Sequence, residues 1–189
     1  MFTSSVMNVP NSLTLLRILL IPVFVILLGD ERFDAALVVL VIAGVTDGLD
    51  GTIARVANQQ TKIGAYLDPL ADKLLLTAGF VTLSLLHLVP AWVTIVIVSR
   101  DLLLMTATLL GRWTVQRVDI SPSVWGKATT LFQLSYLLLV VALASRRMDL
   151  QILAPLLYLM VGVTFFSGGH YLYRYLFFRG AAPVRTREA

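Results

Sequence analysis

The sequence predicts an all-α integral membrane protein: a bundle of six transmembrane helices with both termini on the cytoplasmic side. Three observations carry this. Of the 189 residues, 58% are hydrophobic and only 14% are charged, and the mean hydropathy of +0.84 lies far above that of a soluble domain. The apolar residues gather into six runs, each near or above the ~20 residues that cross a bilayer. Lysine and arginine then fall unequally on the two sides of such a bundle.

The elements follow in order. A short amphipathic lead, residues 1–10, ends at Pro10, where Asn11 and Ser12 make a helix start. The first span covers about 13–28, with a bend expected at Pro22. The polar loop 29–32 leads to the second span, 33–57. The turn Asn58-Gln59-Gln60 leads to the third, 61–88. Val89-Pro90 turns the chain into the fourth, 91–113. A polar connection, 114–121, precedes the fifth, 122–144, and residues 145–149 precede the sixth, 150–178. The whole is one domain over 1–189, and 179–189 form a basic tail.

An even number of spans puts both termini on one side. Arg55, Lys62, Arg112, Arg117, Arg174, Arg179, Arg185 and Arg187 share that side, against Arg32, Arg146 and Arg147 opposite. Basic residues mark the cytoplasmic face, so the net charge of +4 is a topology signal rather than a nucleic-acid signal. There is no cysteine, which excludes disulfides and thiolate metal sites. No cleavable signal peptide is expected, since the first ten residues lack Lys and Arg and no small-residue cleavage site follows the first apolar run. No internal repeat points to an inverted-repeat transporter.

The stretch from Asp47 to Asp72 breaks the apolar pattern with Asp47, Asp50, Asp68 and Asp72. An ionised Asp near the bilayer centre costs about 2.5–3.5 kcal/mol. The nearest cations in the sequence, Arg55, Lys62 and Lys73, are too few and too scattered to pair all four. A divalent cation resolves the imbalance, because hard cations take carboxylate oxygens and Mg²⁺ is commonly shared between carboxylates and substrate phosphates. On a helix, Asp47 and Asp50 stand roughly 60° apart, and Asp68 and Asp72 roughly 40° apart. Each pair shares one face. In a hairpin the two pairs lie at similar depth and converge on one site between helices 2 and 3, near the cytoplasmic side. Gly44, Gly48, Gly51 and Gly64 clear side chains there, for helix approach or for a ligand.

Asp47, Asp50, Gly51, Ala54, Arg55, Gly64, Asp68 and Asp72 together stand as D-x-x-D-G-x-x-A-R-x8-G-x3-D-x3-D. This resembles the complete signature of the CDP-alcohol phosphatidyltransferases. The resemblance implies transfer of a phosphatidyl group from CDP-diacylglycerol to an acceptor hydroxyl with release of CMP. It implies that Asp47, Asp50, Asp68 and Asp72 hold Mg²⁺ or Mn²⁺, as two ions, and that Asp72 is also the general base. Gly48, Gly51, Ala54, Arg55 and Gly64 would line the substrate pocket. It further implies membrane lipids as surroundings, a homodimer, no nucleic acid, and the bacterial inner membrane as the location.

The acceptor is read from weaker features. NVPNSLTLLR (8–17) and PSVWGKATTLFQ (122–133) look like segments of the phosphatidylglycerophosphate synthases of that family, and so favour glycerol 3-phosphate. SGGHYLYRY (167–175) looks more like its cardiolipin synthases, which use phosphatidylglycerol. Arg100-Asp101 stands where many of the former carry Arg-Glu. Inositol phosphate and serine are less favoured. Arg100, Arg112 and Lys127 are candidate contacts for the acceptor phosphate; Arg100 with Asp101 also reads as a structural ion pair, and Lys127 as an interfacial snorkelling lysine. Arg17 reads either way. Lys73 points about 100° away from Asp72 and is expected to meet a headgroup or a neighbouring acid. His87 and His170 lack a second ligand at metal spacing and read as structural, and the three tryptophans as an interfacial belt. An intramembrane prenyltransferase would also carry bundled carboxylates, but usually with more spans and two separated acidic motifs where this chain has one contiguous motif; a divalent-cation transporter would not require Ala54-Arg55 and Gly64 at these spacings.

Overall fold

The computed structural model describes residues 9–56, 64–113 and 124–177, with side chains over 14–46, 71–106, 126 and 128–169. Among the described residues the chain is all helix, without strands. The helices are α1 (Val9–Gly29), α2 (Phe33–Val56), α3 (Gly64–Leu85), α4 (Ala91–Trp113), α5 (Val124–Ser145) and α6 (Ala154–Phe177).

The ends of these helices follow local chemistry. α1 begins before Pro10 rather than at residue 13, because proline lacks only an N–H that a first turn leaves unbonded. It then runs on through Pro22. α6 is preceded by a 3₁₀ turn, Leu150–Leu153, whose cap Asp149 accepts from the Gln151 N–H at 2.8 Å. α1, α3 and α5 all stop the same way. Glu31, His87 and Arg147 take the left-handed conformation, at φ 56°, 59° and 53°. Beside each, paired N–H groups reach back to the last carbonyls, as in Arg32 N to Leu27 O and Glu31 N to Leu28 O, both 2.9 Å. This is the Schellman arrangement, here without its usual glycine.

The six helices close into a ring. α1 packs on α2 and α3, α4 on α3 and α6, and α5 on α2 and α6, while α5 also crosses the middle to α3. Among the described residues α2 and α3 do not pack on each other directly; α1 and α5 bridge them. Arg17 bonds Asp72, and seven residues further along both helices Phe24 lies against Gly79, so α1 and α3 run parallel. Lys73 meets Asp101, and Phe80 meets Thr94, so α4 runs antiparallel to α3. The three-residue link 30–32 turns α2 back along α1. The end of α2 and the start of α3 therefore share one end of the bundle.

The apolar core lies away from that end. Phe24, Leu40, Phe80, Leu83, Ile97, Leu137 and Met160 are wholly or almost wholly buried. Phe80 stacks on Tyr136 with centroids 6.3 Å apart and planes 2° apart. Gly79 is the tightest point: an added Cβ would sit 3.0 Å from Leu137 and 3.1 Å from Phe24. Gly44, expected to serve close approach, is open, with nothing within 4 Å of an added Cβ. It stands on a half-buried part of α2 rather than in the seam.

Among the described residues, 128–145 and 150–169 are long and apolar enough to cross a membrane, while the apolar parts of α1 and α2, Thr14–Gly29 and Phe33–Thr46, are shorter. The first of these two shorter stretches begins, and the second ends, where the described side chains do. Charged residues cut into α1 at Arg17, α2 at Asp47 and Asp50, α3 at Asp72 and Lys73, and α4 at Arg100 and Asp101. A layer of polar groups crosses the bundle at that depth.

Candidate active site

The polar layer is built from four helices. On α1, Arg17 is 1% exposed, and its Nη1 donates to Asp72 Oδ1 on α3 at 2.6 Å. The two partners differ in access: the Asp72 side chain is 36% exposed. The guanidinium therefore lies behind the carboxylate, inside the bundle wall, and the carboxylate lies in front. A charge-assisted bond of this length is among the stronger single contacts a carboxylate makes.

The next residue, Lys73, turns to α4, where its Nζ donates to Asp101 Oδ1 at 3.2 Å. The same oxygen accepts from Arg100 Nη1 at 2.7 Å. Arg100 Nη2 donates to Ser167 Oγ on α6 at 2.8 Å, and Gly168 leaves room for the Arg100 stem, whose Cγ would lie 3.7 Å from an added Cβ. One carboxylate oxygen thus joins α3 to α4, and through Arg100 to α6. Arg100, Asp101 and Ser167 are buried, and Lys73 is 32% exposed. Arg100 Nε has no hydrogen-bond partner among the described residues. Thr129 and Gln133, four apart on α5, add two more buried polar side chains.

The remaining candidate residues sit on the helices as follows. Asp47, Gly48, Asp50, Gly51, Ala54 and Arg55 occupy the end of α2. Gly64 and Asp68 occupy the start of α3. Arg112 is at the end of α4, and Lys127 in the first turn of α5. The side chains of all ten lie outside the described residues, as does His170 in α6. The helical backbone holds Asp47 with Asp50, and Asp68 with Asp72, at the spacings that place each pair on one face. Among the described residues no three His, Cys, Asp or Glu side chains gather as a metal site; three of the four aspartates fall outside that set. The donor chemistry fits a hard divalent cation, because every candidate donor is a carboxylate oxygen and the chain has no cysteine.

Two features were hard to see in the sequence. Lys73 does meet a neighbouring acid, but the acid lies 28 residues away on α4. Among the described residues the cation paired with Asp72 is Arg17, 55 residues away. The available signal was an arginine inside an apolar run, which needs a partner there.

Comparison with known proteins agrees with the motif. The model of the CDP-alcohol phosphatidyltransferase family matches residues 7–166. A human protein named cardiolipin synthase (CMP-forming) is 45% identical over 107 residues, covering 56% of this chain and 36% of that protein. A Bacillus subtilis protein named CDP-diacylglycerol–glycerol-3-phosphate 3-phosphatidyltransferase is 43% identical over 109 residues, 50% of this chain and 56% of that one. A Haemophilus influenzae protein of the same name is 39% identical over 137 residues, 67% of this chain and 71% of that one. The chain thus spans less than two thirds of the first two relatives' length. The match of the family model takes in α1 through most of α6 and the whole acidic stretch, and the chain belongs to the CDP-alcohol phosphatidyltransferase family.

Proposed function

We propose that this chain transfers a phosphatidyl group from CDP-diacylglycerol to glycerol 3-phosphate and releases CMP, a step of phospholipid biosynthesis. One observation carries the reading: the complete acidic motif lies on α2 and α3, with Asp72 buttressed in the polar layer. Mg²⁺ or Mn²⁺, as two ions, held by Asp47, Asp50, Asp68 and Asp72, would neutralise the diphosphate and the charge that develops on the leaving CMP.

The chain's own residues divide the remaining work. Gly48, Gly51 and Ala54 let the nucleotide lie close to the backbone of α2, with Gly64 opposite and Arg55 beside the diphosphate. The acceptor hydroxyl oxygen forms a bond to the lipid-bearing phosphorus, and the bond from that phosphorus to the CMP oxygen breaks. Asp72 takes the hydroxyl proton. Arg100, Arg112 and Lys127 contact the acceptor phosphate.

The proposal includes six spans with both termini in the cytoplasm, so that the site opens on the face where nucleotide-linked lipid is available. It also includes a homodimer in a bacterial inner membrane. A second reading has one observation in its favour, the match to a protein named cardiolipin synthase: the acceptor is then phosphatidylglycerol.

Purified protein with labelled CDP-diacylglycerol, Mg²⁺ and each acceptor in turn separates these readings. CMP release with glycerol 3-phosphate alone supports the first reading, and release with phosphatidylglycerol alone replaces it with the second. Metal-dependent release with neither acceptor moves the search to other alcohols. No CMP release under any condition overturns both readings and returns attention to a prenyltransferase or a cation carrier.

A further inference from the structure

Arg17 lies outside the eight-position motif, and its pair with Asp72 joins helices far apart in sequence. We propose that Arg17 is a positioning residue for the reaction, holding the Asp72 carboxylate from behind and offsetting one negative charge of the acidic site. The inference rests on the functional reading above.

The geometry shows why Arg17 acts through Asp72 rather than on substrate. Its side chain is 1% exposed, and its partner is 36% exposed. A group shut inside the wall does not reach a substrate that approaches the open carboxylate. What it can do is limit that carboxylate's rotation. Nη1 fixes Oδ1 at 2.6 Å, and α1 is braced on α3 again at Phe24 and Gly79, so the donor is itself held by packing. A displacement of about 1 Å in a reacting group costs on the order of 10²-fold in rate.

Charge gives a second, independent consequence. The acidic stretch carries four carboxylates, and Arg17 sets one positive charge against them from inside the bundle. Opposite charges in a poorly screened site act strongly on each other. Removing the guanidinium makes the site one charge more negative, and therefore more attractive to a dication. A residue that only supported the fold would not improve metal binding when removed.

Arg17→Met keeps much of the stem and loses the charge; Arg17→Lys keeps the charge and loses the fork. The tests use the purified full chain in detergent. We expect Arg17→Met to lower kcat on the order of 10²-fold, with KM for CDP-diacylglycerol within about twofold because the contact is not to substrate. Arg17→Lys should recover part of the rate. In an Asp72→Asn background the same change should add almost nothing, because the group it positions is already disabled. Binding of Mn²⁺ alone, followed by electron paramagnetic resonance of the free ion, should tighten about fivefold or more in Arg17→Met. Full additivity with Asp72→Asn, or Mn²⁺ binding that weakens or stays unchanged, would overturn the proposal. If Arg17→Met does not fold, Arg17→Lys carries the kinetic arms, and Arg17→Gln carries the Mn²⁺ arm. If the wild type releases no CMP, the functional reading fails while the Mn²⁺ arm still decides the charge role. If the wild type binds no Mn²⁺, the metal reading fails and takes this inference with it.

Discussion

The bundle handles buried polar groups differently in its two halves. In the apolar half, buried threonine hydroxyls turn to backbone carbonyls. Thr82 Oγ1 donates to Ala78 O at 2.8 Å within α3, and Thr94 Oγ1 on α4 donates to Phe80 O at 3.2 Å. In the polar layer, side chains bond to side chains on other helices: Arg17 to Asp72, Lys73 to Asp101, Arg100 to Ser167. A hydroxyl satisfied by a backbone carbonyl costs little, whichever helix supplies the carbonyl. A cross-helix ion pair is expensive to assemble and severe to break. Its presence where packing alone would stabilise the bundle more cheaply marks that layer as the place where charge is needed. Apolar packing and buried charge are thus separated along the helix axes.

The largest expected effect is on chemistry. Asp72→Asn should lower turnover by about 10²–10⁴-fold, the usual range for losing a general base, with the folded protein retained in detergent. Activity near that of the wild type in a monodisperse variant would remove Asp72 from the base role. Next comes Asp101→Asn, which leaves Lys73 and Arg100 without their shared anion. A buried pair broken from one side costs about 3–5 kcal/mol, so thermal unfolding should move down steeply. A variant as stable as the wild type would mean that the network is ornament, and the contrast between the two halves would weaken.

In the apolar half, Gly79→Val should destabilise by about 1–3 kcal/mol through overpacking, since even a Cβ meets Leu137 at 3.0 Å. The rate per folded molecule should hold. A variant that folds normally but loses turnover would show that the two halves are mechanically coupled. The smallest effect belongs to the far end of the bundle. Replacing Glu31, His87 or Arg147 by glycine relieves a left-handed non-glycine residue, a strain of about 1–2 kcal/mol, partly offset by glycine's freedom in the unfolded chain. Each should leave stability unchanged or raise it by about 1 kcal/mol, read as a small rise in melting temperature.

Much of the helix layout was legible. α4 starts and ends where the apolar run does, 91–113, because Val89-Pro90 and Trp113 bound it in one dimension. α2 likewise runs Phe33–Val56 against an expected 33–57, and the residues that link it to α3 lie outside the described set. The expected pairing of α2 with α3 rested on their adjacency in sequence. Among the described residues α1 and α5 pack against both. Arg100 illustrates an ambiguity that sequence left open: among the described residues it is buried in an ion pair with Asp101 and bonds Ser167, the arrangement the structural reading expects.

The sequence by itself determined the helical class, the membrane setting, the family and the four aspartates. These depend on composition and on spacings within one or two helices, and a helix converts spacing into facing without help from the rest of the chain. The tertiary structure alone decided which cation stands behind Asp72, which acid takes Lys73, and which glycine is tight. Those depend on the register between helices 28 to 67 residues apart. Apolar side chains set that register as they fill a ring, and no local periodicity encodes which turn of α1 arrives beside which turn of α3.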